Sequence, residues 1–149
     1  MKNWFEVKIA YDKLQEDGSQ KKVTELYLFD ALSWTETEAR TVEELKAYIS
    51  GEFEIVAMRR VKLSELFLSE LSVEVFFRAK VQFISLDEKS GKEKRVNAYM
   101  LAQANDIDQA QDVIKEGMKG TMADYVIAEV KETNIMGVFP YSNDEKSDH

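Results

Sequence analysis

The residues in this chain that could do chemistry are aromatic and basic side chains that alternate along two segments. They are Trp4 and Lys8 near the N-terminus, and Phe76, Arg78, Lys80, Arg95 and Tyr99 in the second half. On a strand, such alternation places rings beside cations on one face, where rings can stack on unpaired bases and cations can neutralise phosphates. The pattern predicts a candidate surface for single-stranded nucleic acid or for a partner protein.

The same residues have a second interpretation, which we favour. Leu26, Leu28 and Leu101 fall on the same strand faces, and an apolar face of this size is normally covered. In that case the rings are buried between the two halves of the chain, and only the Arg and Lys head groups reach the rim.

The chemistry available to an enzyme is narrow, because the chain has no cysteine and its only histidine is His149 at the C-terminus. Ser-His-Asp and Cys-His catalysis and zinc sites of the Cys/His kind are therefore excluded. Carboxylates are plentiful, but Glu36 and Glu38, and Glu43 and Glu44, have spacings that point apart on a helix. We expect a non-enzymatic protein that holds neither a cofactor nor a metal ion.

Two short motifs resemble ligand-binding loops but have simpler structural interpretations. The acidic run from Asp106 to Asp112 lacks the central glycine of a calcium loop, so we interpret Asp106 as a helix N-cap. Gly117 and Gly120 form a Gly-x-x-Gly pair like that of some RNA-binding loops. A helix end followed by a connector explains both glycines without a ligand.

Composition indicates a globular protein. The 149 residues are 44% hydrophobic and carry a formal net charge of −8, which repels a polyanion unless basic residues gather on one surface. No apolar run approaches the roughly 20 residues needed to span a bilayer, and charges interrupt the N-terminal segment where a signal peptide is apolar. We expect a cytoplasmic protein with no membrane association.

The positions of these residues repeat along the chain. When the chain is shifted by 72 residues, residues of the same kind coincide. The pairs include Trp4 and Phe76, Lys8 and Lys80, Ile55 and Ile127, and Phe67 and Phe139. We predict a first repeat at 1–72, a second at 73–140 packed with it into one compact unit, and a disordered polar tail at 141–149.

Each repeat has the pattern of two strands, a helix and a third strand. Alternating apolar residues over 5–11 and 77–83 indicate strands, and a glycine in the following turn indicates a hairpin. One helix is expected from Thr35, where a capping box is followed by an apolar stripe, and a second from the N-cap Asp106. The apolar stripe of the first helix consists of Ala39, Val42, Leu45 and Ile49. The predicted fold class is α+β: two ββαβ repeats with pseudo-twofold symmetry, with the helices packed on antiparallel sheet.

The sheet face opposite each helix is expected to be strongly apolar. It would hold Trp4, Leu26, Leu28 and Ile55 in the first repeat, and Phe76, Tyr99, Leu101 and Ile127 in the second. Three arrangements would remove these faces from water: packing of the two units on each other, one continuous curved sheet, or a dimer interface.

Several segments resemble a family of small uncharacterised proteins found in Bacteroidetes and their phages. They include NWFEVKIAYDK, ISGEFEI, SLDEKSGKEKR and EGMKGTMADYVIAEVKET, of which EGMKGTMADYVIA is the most specific part. The resemblance implies a bacterial or phage cytoplasmic setting and implies no activity or site residues.

For function, we predict a protein that binds another protein or assembles with itself. The alternative is a single-stranded nucleic-acid-binding accessory protein that uses the basic and aromatic strands of the second repeat.

Overall fold

The computed structural model describes residues 3–69 and 75–141. Within these ranges the fold is α+β, with two helices and two mixed four-stranded sheets. The elements of the first half are β1 Trp4–Leu14, β2 Gln20–Asp30, α1 Trp34–Leu45, β3 Phe53–Val61 and β4 Glu65–Phe67. Those of the second half are β5 Phe76–Leu86, β6 Glu93–Gln103, α2 Ile107–Gly117, β7 Asp124–Glu132 and β8 Ile135–Phe139.

The chain divides into two compact units. The first consists of residues 1–62 and 135–149, and its sheet has the strand order β3-β1-β2-β8. The second consists of residues 63–134, with the order β4-β6-β5-β7. Within the described ranges the two sheets share no strand, so the continuous sheet considered from sequence is not found there.

Both sheets are mixed because each ends in a short parallel strand. β8 pairs parallel with β2, and β4 pairs parallel with β6, whereas the other neighbours are antiparallel. The predicted antiparallel sheet is therefore only part of the structure, because β4 and β8 pair in parallel. The four-residue pairing of Leu26–Phe29 with β8 and the three-residue pairing with β4 had no signal in hydrophobic periodicity.

β4 follows β3 of the first unit but joins the sheet of the second, and β8 follows β7 of the second unit but joins the sheet of the first. Chain geometry explains the placement of β8. β7 runs parallel to β6, so a chain that leaves the end of β7 at Glu132 must first run back along the sheet before it can pair parallel with β6. The outer edge of β6 also lies three strand spacings from β7, about 14 Å away. The connector Thr133–Asn134 reaches only about 11 Å. β8 therefore cannot complete the sheet of its own half.

This crossing makes the compact units differ from the sequence halves 1–72 and 73–140. The predicted boundary at residue 72 lies outside the described residues, as do residues 142–149 of the predicted tail. Among the described residues, neither helix is long and apolar enough to cross a membrane.

The core of each unit lies between its helix and one sheet face. In the first unit it contains Val7, Ile9, Tyr27, Phe29, Leu45 and Ile49. In the second it contains Ala79, Val81, Met100, Ala102, Ile114 and Met118.

The predicted hairpins are confirmed, and each extends beyond the end of the third strand that pairs with it. β1 and β2 remain paired to Leu14 and Gln20, three residues beyond the last residue of β1 that pairs with β3. β5 and β6 likewise extend two residues past the last pair with β7. Gly18 and Gly91 have φ values of +88° and +71° in the turns, which glycine adopts without strain.

Helix α1 differs from its prediction in both its start and its buried stripe. Its N-cap is Ser33, whose side chain accepts a hydrogen bond from the Glu36 backbone N–H, so the helix starts earlier than Thr35. It buries Thr37, Thr41 and Leu45 and leaves Val42 half exposed. The two threonines are tolerated because their hydroxyls donate to backbone carbonyls one turn earlier.

Helix α2 begins as predicted. The Asp106 carboxylate accepts a 2.8 Å hydrogen bond from the Gln109 backbone N–H, and the Gln109 side chain accepts from the Asn105 backbone N–H at 2.6 Å. This reciprocal cap accounts for the acidic run that resembled a calcium loop.

Two β-bulges correct the predicted sheet faces. Val56 is an extra residue of β3, because Lys8 pairs with Ala57 and Ile9 with Ile55. Ala128 is the corresponding extra residue of β7. A one-residue shift moves side chains to the other face of a sheet. Ile55 and Ile127 therefore pack in the helix-covered cores and not on the opposite faces.

Candidate functional site

The structure places five of the seven predicted site residues on one face of the second sheet. They are Phe76, Arg78 and Lys80 on β5 and Arg95 and Tyr99 on β6, all on the face that does not pack on α2. Trp4 and Lys8 lie on the corresponding face of the first sheet, in the other unit.

Burial divides these residues into two groups. Trp4 and Phe76 are each only 4% exposed, so neither ring offers a face to a stacked base. Tyr99 and the two cationic residues Arg78 and Lys80 are half-buried, and Arg95 is exposed. The accessible part of the predicted surface is therefore basic, with one aromatic ring.

We call this accessible area the basic face and define it by Arg78, Lys80, Arg95, Tyr99, Glu129 and Lys131. Strand register brings its members together. Lys80 lies between Tyr99 of β6 and Glu129 of β7, while Arg78 lies directly opposite Lys131 of β7. Sequence reasoning did not identify Lys131, because the register that places it opposite Arg78 is set by the pairing of β5 with β7.

The charges of the basic face are only partly compensated. Arg95 donates to Glu93 at 2.7 Å and to Gln82 at 3.2 Å, and the Lys131 ammonium lies 3.9 Å from Glu129. Within residues 3–69 and 75–141, the side chains of Arg78 and Lys80 have neither an ion pair nor a hydrogen bond. Two half-buried cations therefore remain available to an anionic group.

The first sheet provides an internal comparison at the same register. Glu6 occupies the place of Arg78, and Arg59 occupies the place of Lys131. Their side chains form an ion pair of 2.8 Å. Opposite charges thus face each other in the first sheet, and like charges face each other in the second.

A polar cluster that sequence reasoning missed lies on the helix-covered face of the first sheet. The hydroxyls of Tyr11 and Tyr27 donate to the two carboxylate oxygens of Glu25, at 3.0 and 2.8 Å. The second sheet has Phe83, Ala98 and Met100 at the same register. The sequence signal for this cluster was that Glu25 and Tyr27 are alternate residues of β2, on the strand face that they share with Tyr11 of β1.

The Tyr11–Glu25–Tyr27 cluster holds both phenols in the protonated state. Burial, followed by the hydrogen bond and the charge of Glu25, raises the pKa of Tyr11 and Tyr27 above the ordinary value of 10.0. Both phenols therefore stay protonated at neutral pH, and their O–H groups are already donated to Glu25.

The cluster predicts a specific alkaline weakness. Because the pKa values of both phenols are raised on folding, their contribution to stability is complete below about pH 10 and is lost as pH rises through the folded pKa. Tyr27→Phe is expected to cost about 1 kcal/mol at neutral pH and to reduce the loss of stability above pH 10. Urea unfolding across this pH range measures both effects. An unchanged alkaline slope in Tyr27→Phe, or the same reduction in the exposed control Tyr48→Phe, would contradict the assignment.

Gly117 and Gly120 each have a structural role. A Cβ on Gly117 would lie 2.3 Å from the ring of Phe67, so β4 packs where a side chain would stand. Gly120 has a φ of +90°. These roles account for the glycine pair that resembled an RNA-binding loop.

The remaining side chains of the described ranges do not form a metal site. Neither 3–69 nor 75–141 contains a group of three or more His, Cys, Asp or Glu residues placed to hold an ion.

The projecting hairpins expose apolar residues at matched positions. Leu14 is 68% exposed and Leu86 is 70% exposed, each immediately before the turn. Leu86 lies on the same side of β5 as Arg78 and Lys80, so the basic face continues to an apolar tip.

Comparison with known protein families matches residues 3–141 to the domain of unknown function DUF4494. A search of curated proteins finds no match.

Proposed function

The chain belongs to the DUF4494 family, and we propose that it acts without catalysis, by binding another protein or a second copy of itself. The observation that carries this proposal is the pair of projecting hairpins with exposed leucines at their ends. When a partner covers an exposed large apolar side chain, the free energy of the complex is lowered.

The reason for an interaction role differs from the one that sequence suggested. The apolar sheet faces that motivated it hold Trp4, Leu28, Phe76 and Leu101, and all four are buried. The hairpins instead provide the accessible surface, because their outer strands also have unpaired edges. β8 covers β2 only from Leu26 onward, and β4 covers β6 only from Met100 onward. Unpaired edges can accept a strand from another chain.

We further propose that the two halves arose by duplication of one ββαβ unit and that the protein works in a bacterial or phage-infected cytoplasm. The matched bulges at Val56 and Ala128 support the duplication. The cellular setting rests on the resemblance described above.

The hairpin leucines provide the test of the interaction proposal. The double variant Leu14→Ser/Leu86→Ser is expected to lose self-association in sedimentation velocity, or to lose a cross-linked partner that the wild type retains in host extract. Its urea unfolding should stay close to that of the wild type, because the leucines are exposed. Leu32→Ser removes an equally exposed leucine outside the hairpins and should change neither readout. Equal association by wild type and double variant would rule out the hairpins as the interface.

Single-stranded nucleic-acid binding is the second candidate, and the uncompensated Arg78 and Lys80 support it. Of the three predicted site rings, Trp4 and Phe76 are buried, and Tyr99 alone remains for base stacking. We therefore rank it below protein binding. Fluorescence anisotropy with labelled oligo-dT at low and moderate salt tests it, since phosphate contacts make binding strongly salt-dependent.

A further inference from the structure

We propose that the basic face of the second unit binds an acidic, extended polypeptide segment of the partner. This inference rests on the protein-binding function proposed above and names the chemistry of the partner. It is argued from the facing of Arg78 and Lys131, from the spacing of the cations and from the continuity of the face with Leu86.

The facing of Arg78 and Lys131 is unfavourable in the free protein. Directly opposite side chains on neighbouring strands lie about 5 Å apart, where like charges destabilise a sheet. The first sheet shows that an ion pair, Glu6 with Arg59, fits at the same register. The second unit thus keeps a repulsive pair where an attractive one can be built. A bound anionic group would relieve the repulsion. Residues that destabilise the free protein and are stabilised by a ligand are typical of binding surfaces.

The spacing of the cations matches an extended chain. Arg78 and Lys80 are alternate residues on one side of β5, so their side chains emerge about 6.6 Å apart. Alternate residues of an extended peptide have the same separation. A segment that carries acidic residues at every other position can therefore place one carboxylate against each cation.

Two features favour a polypeptide over a nucleic-acid strand. Glu129 and Glu93 lie on the same face as the cations, and they would repel a continuous row of phosphates. A peptide can place uncharged residues beside them. Beyond the cations, Ile84 and the exposed Leu86 lie on the same side of β5 and offer apolar contact to a side chain of the partner.

The test uses the full chain and two labelled probes of equal charge, a peptide of alternating glutamate and serine and an oligo-dT. Fluorescence anisotropy is expected to show peptide binding at low salt that weakens as salt rises. Arg78→Glu and Lys80→Glu should each reduce peptide affinity about tenfold or more, since each converts an attraction into a repulsion. Lys119→Glu makes the same charge change at an exposed position outside the basic face and should leave affinity within about twofold.

A stability measurement separates the proposal from simple charge effects. Because Arg78→Glu creates the pairing seen between Glu6 and Arg59, it is expected to raise Tm by about 1 to 3 °C while weakening peptide binding. Lys119→Glu should not raise Tm, because it breaks the pair with Glu116.

Three results would overturn the proposal: no peptide binding at low salt, a lower Tm for Arg78→Glu, or tighter binding of oligo-dT than of the peptide. The last result would assign the face to nucleic acid. Failure of the hairpin-leucine test with intact peptide binding would instead remove the interface proposed for the hairpins and leave the basic face as an anion-binding surface.

Discussion

Gly117→Ala is expected to destabilise the protein by about 2 kcal/mol, although alanine is the better helix former. Helix propensity alone would favour alanine by up to about 1 kcal/mol. Packing acts in the opposite direction, because the new Cβ would lie 2.3, 2.7 and 2.8 Å from three atoms of the Phe67 ring. Inserting an atom into a packed contact of this kind costs about 1 to 3 kcal/mol. The Phe67 ring, which lies at the end of the three-residue strand β4, must therefore move.

A double-mutant cycle with Phe67 tests whether contact with this ring causes the destabilisation. In a Phe67→Ala background the obstructing ring is absent, so Gly117→Ala should become stabilising by about 0.5 to 1 kcal/mol. Urea unfolding of the four proteins measures the coupling. A destabilisation of the same size in both backgrounds would show that the ring does not determine the choice of glycine.

Arg40→Met is expected to cost about 3 kcal/mol and to loosen the end of the first sheet. The Arg40 guanidinium donates to the carbonyl oxygens of Phe139 at 3.3 Å and Pro140 at 3.2 Å and also to that of Asp30. It lies 5.1 Å from the centre of the Tyr141 ring, and its side chain is only 15% exposed. Hydrogen bonds from a charged donor contribute about 1.5 to 3 kcal/mol, and Met retains only the apolar stem.

The loss should be local, because these contacts secure β8. Native-state hydrogen exchange of Gly137 to Phe139 is expected to speed up, while β5 and β6 retain their protection. Arg60→Met is the matched control, since Arg60 is exposed and only lies over the ring of Phe5 at 5.4 Å. It should cost no more than about 1 kcal/mol. Unchanged exchange in β8 after Arg40→Met would contradict the anchoring role.

Glu36 adds a pH dependence to the same anchor. The hydroxyl of Tyr141 donates to Glu36, and this hydrogen bond, followed by one from the Leu32 backbone N–H, lowers the pKa of the Glu36 carboxyl. A carboxyl with a lowered folded pKa stabilises the protein above its unfolded pKa and loses that contribution as pH falls through the folded value. The attachment of Tyr141 to α1 is therefore expected to weaken under acidic conditions.

The candidate surface was predictable in part. Alternation placed Arg78, Lys80 and Tyr99 on one strand face, and the apolar neighbours argued that rings on this face would be covered. The burial of Phe76 is consistent with that argument. The repulsive facing of Lys131 was not predictable, since it depends on which residue of β7 lies opposite Arg78.

The local structure of this protein follows from residues that lie close together in the chain. Period-two alternation specified β1 and β5, glycines at positive φ specified the hairpin turns, and the Asp106 cap specified the start of α2. These features depend on backbone preferences and on contacts between residues close in the chain.

Strand register, and the pairing of β4 and β8 with the sheet of the other sequence half, depend on the folded sheets as a whole. The bulges at Val56 and Ala128 depend on how β3 and β7 meet a neighbouring strand, and they move Ile55 and Ile127 into the cores. The pairing of β4 and β8 depends on where a short connector can reach after the sheet has formed. Long-range pairing of this kind is set by the geometry of the assembled sheet, and no local pattern of residues encodes it.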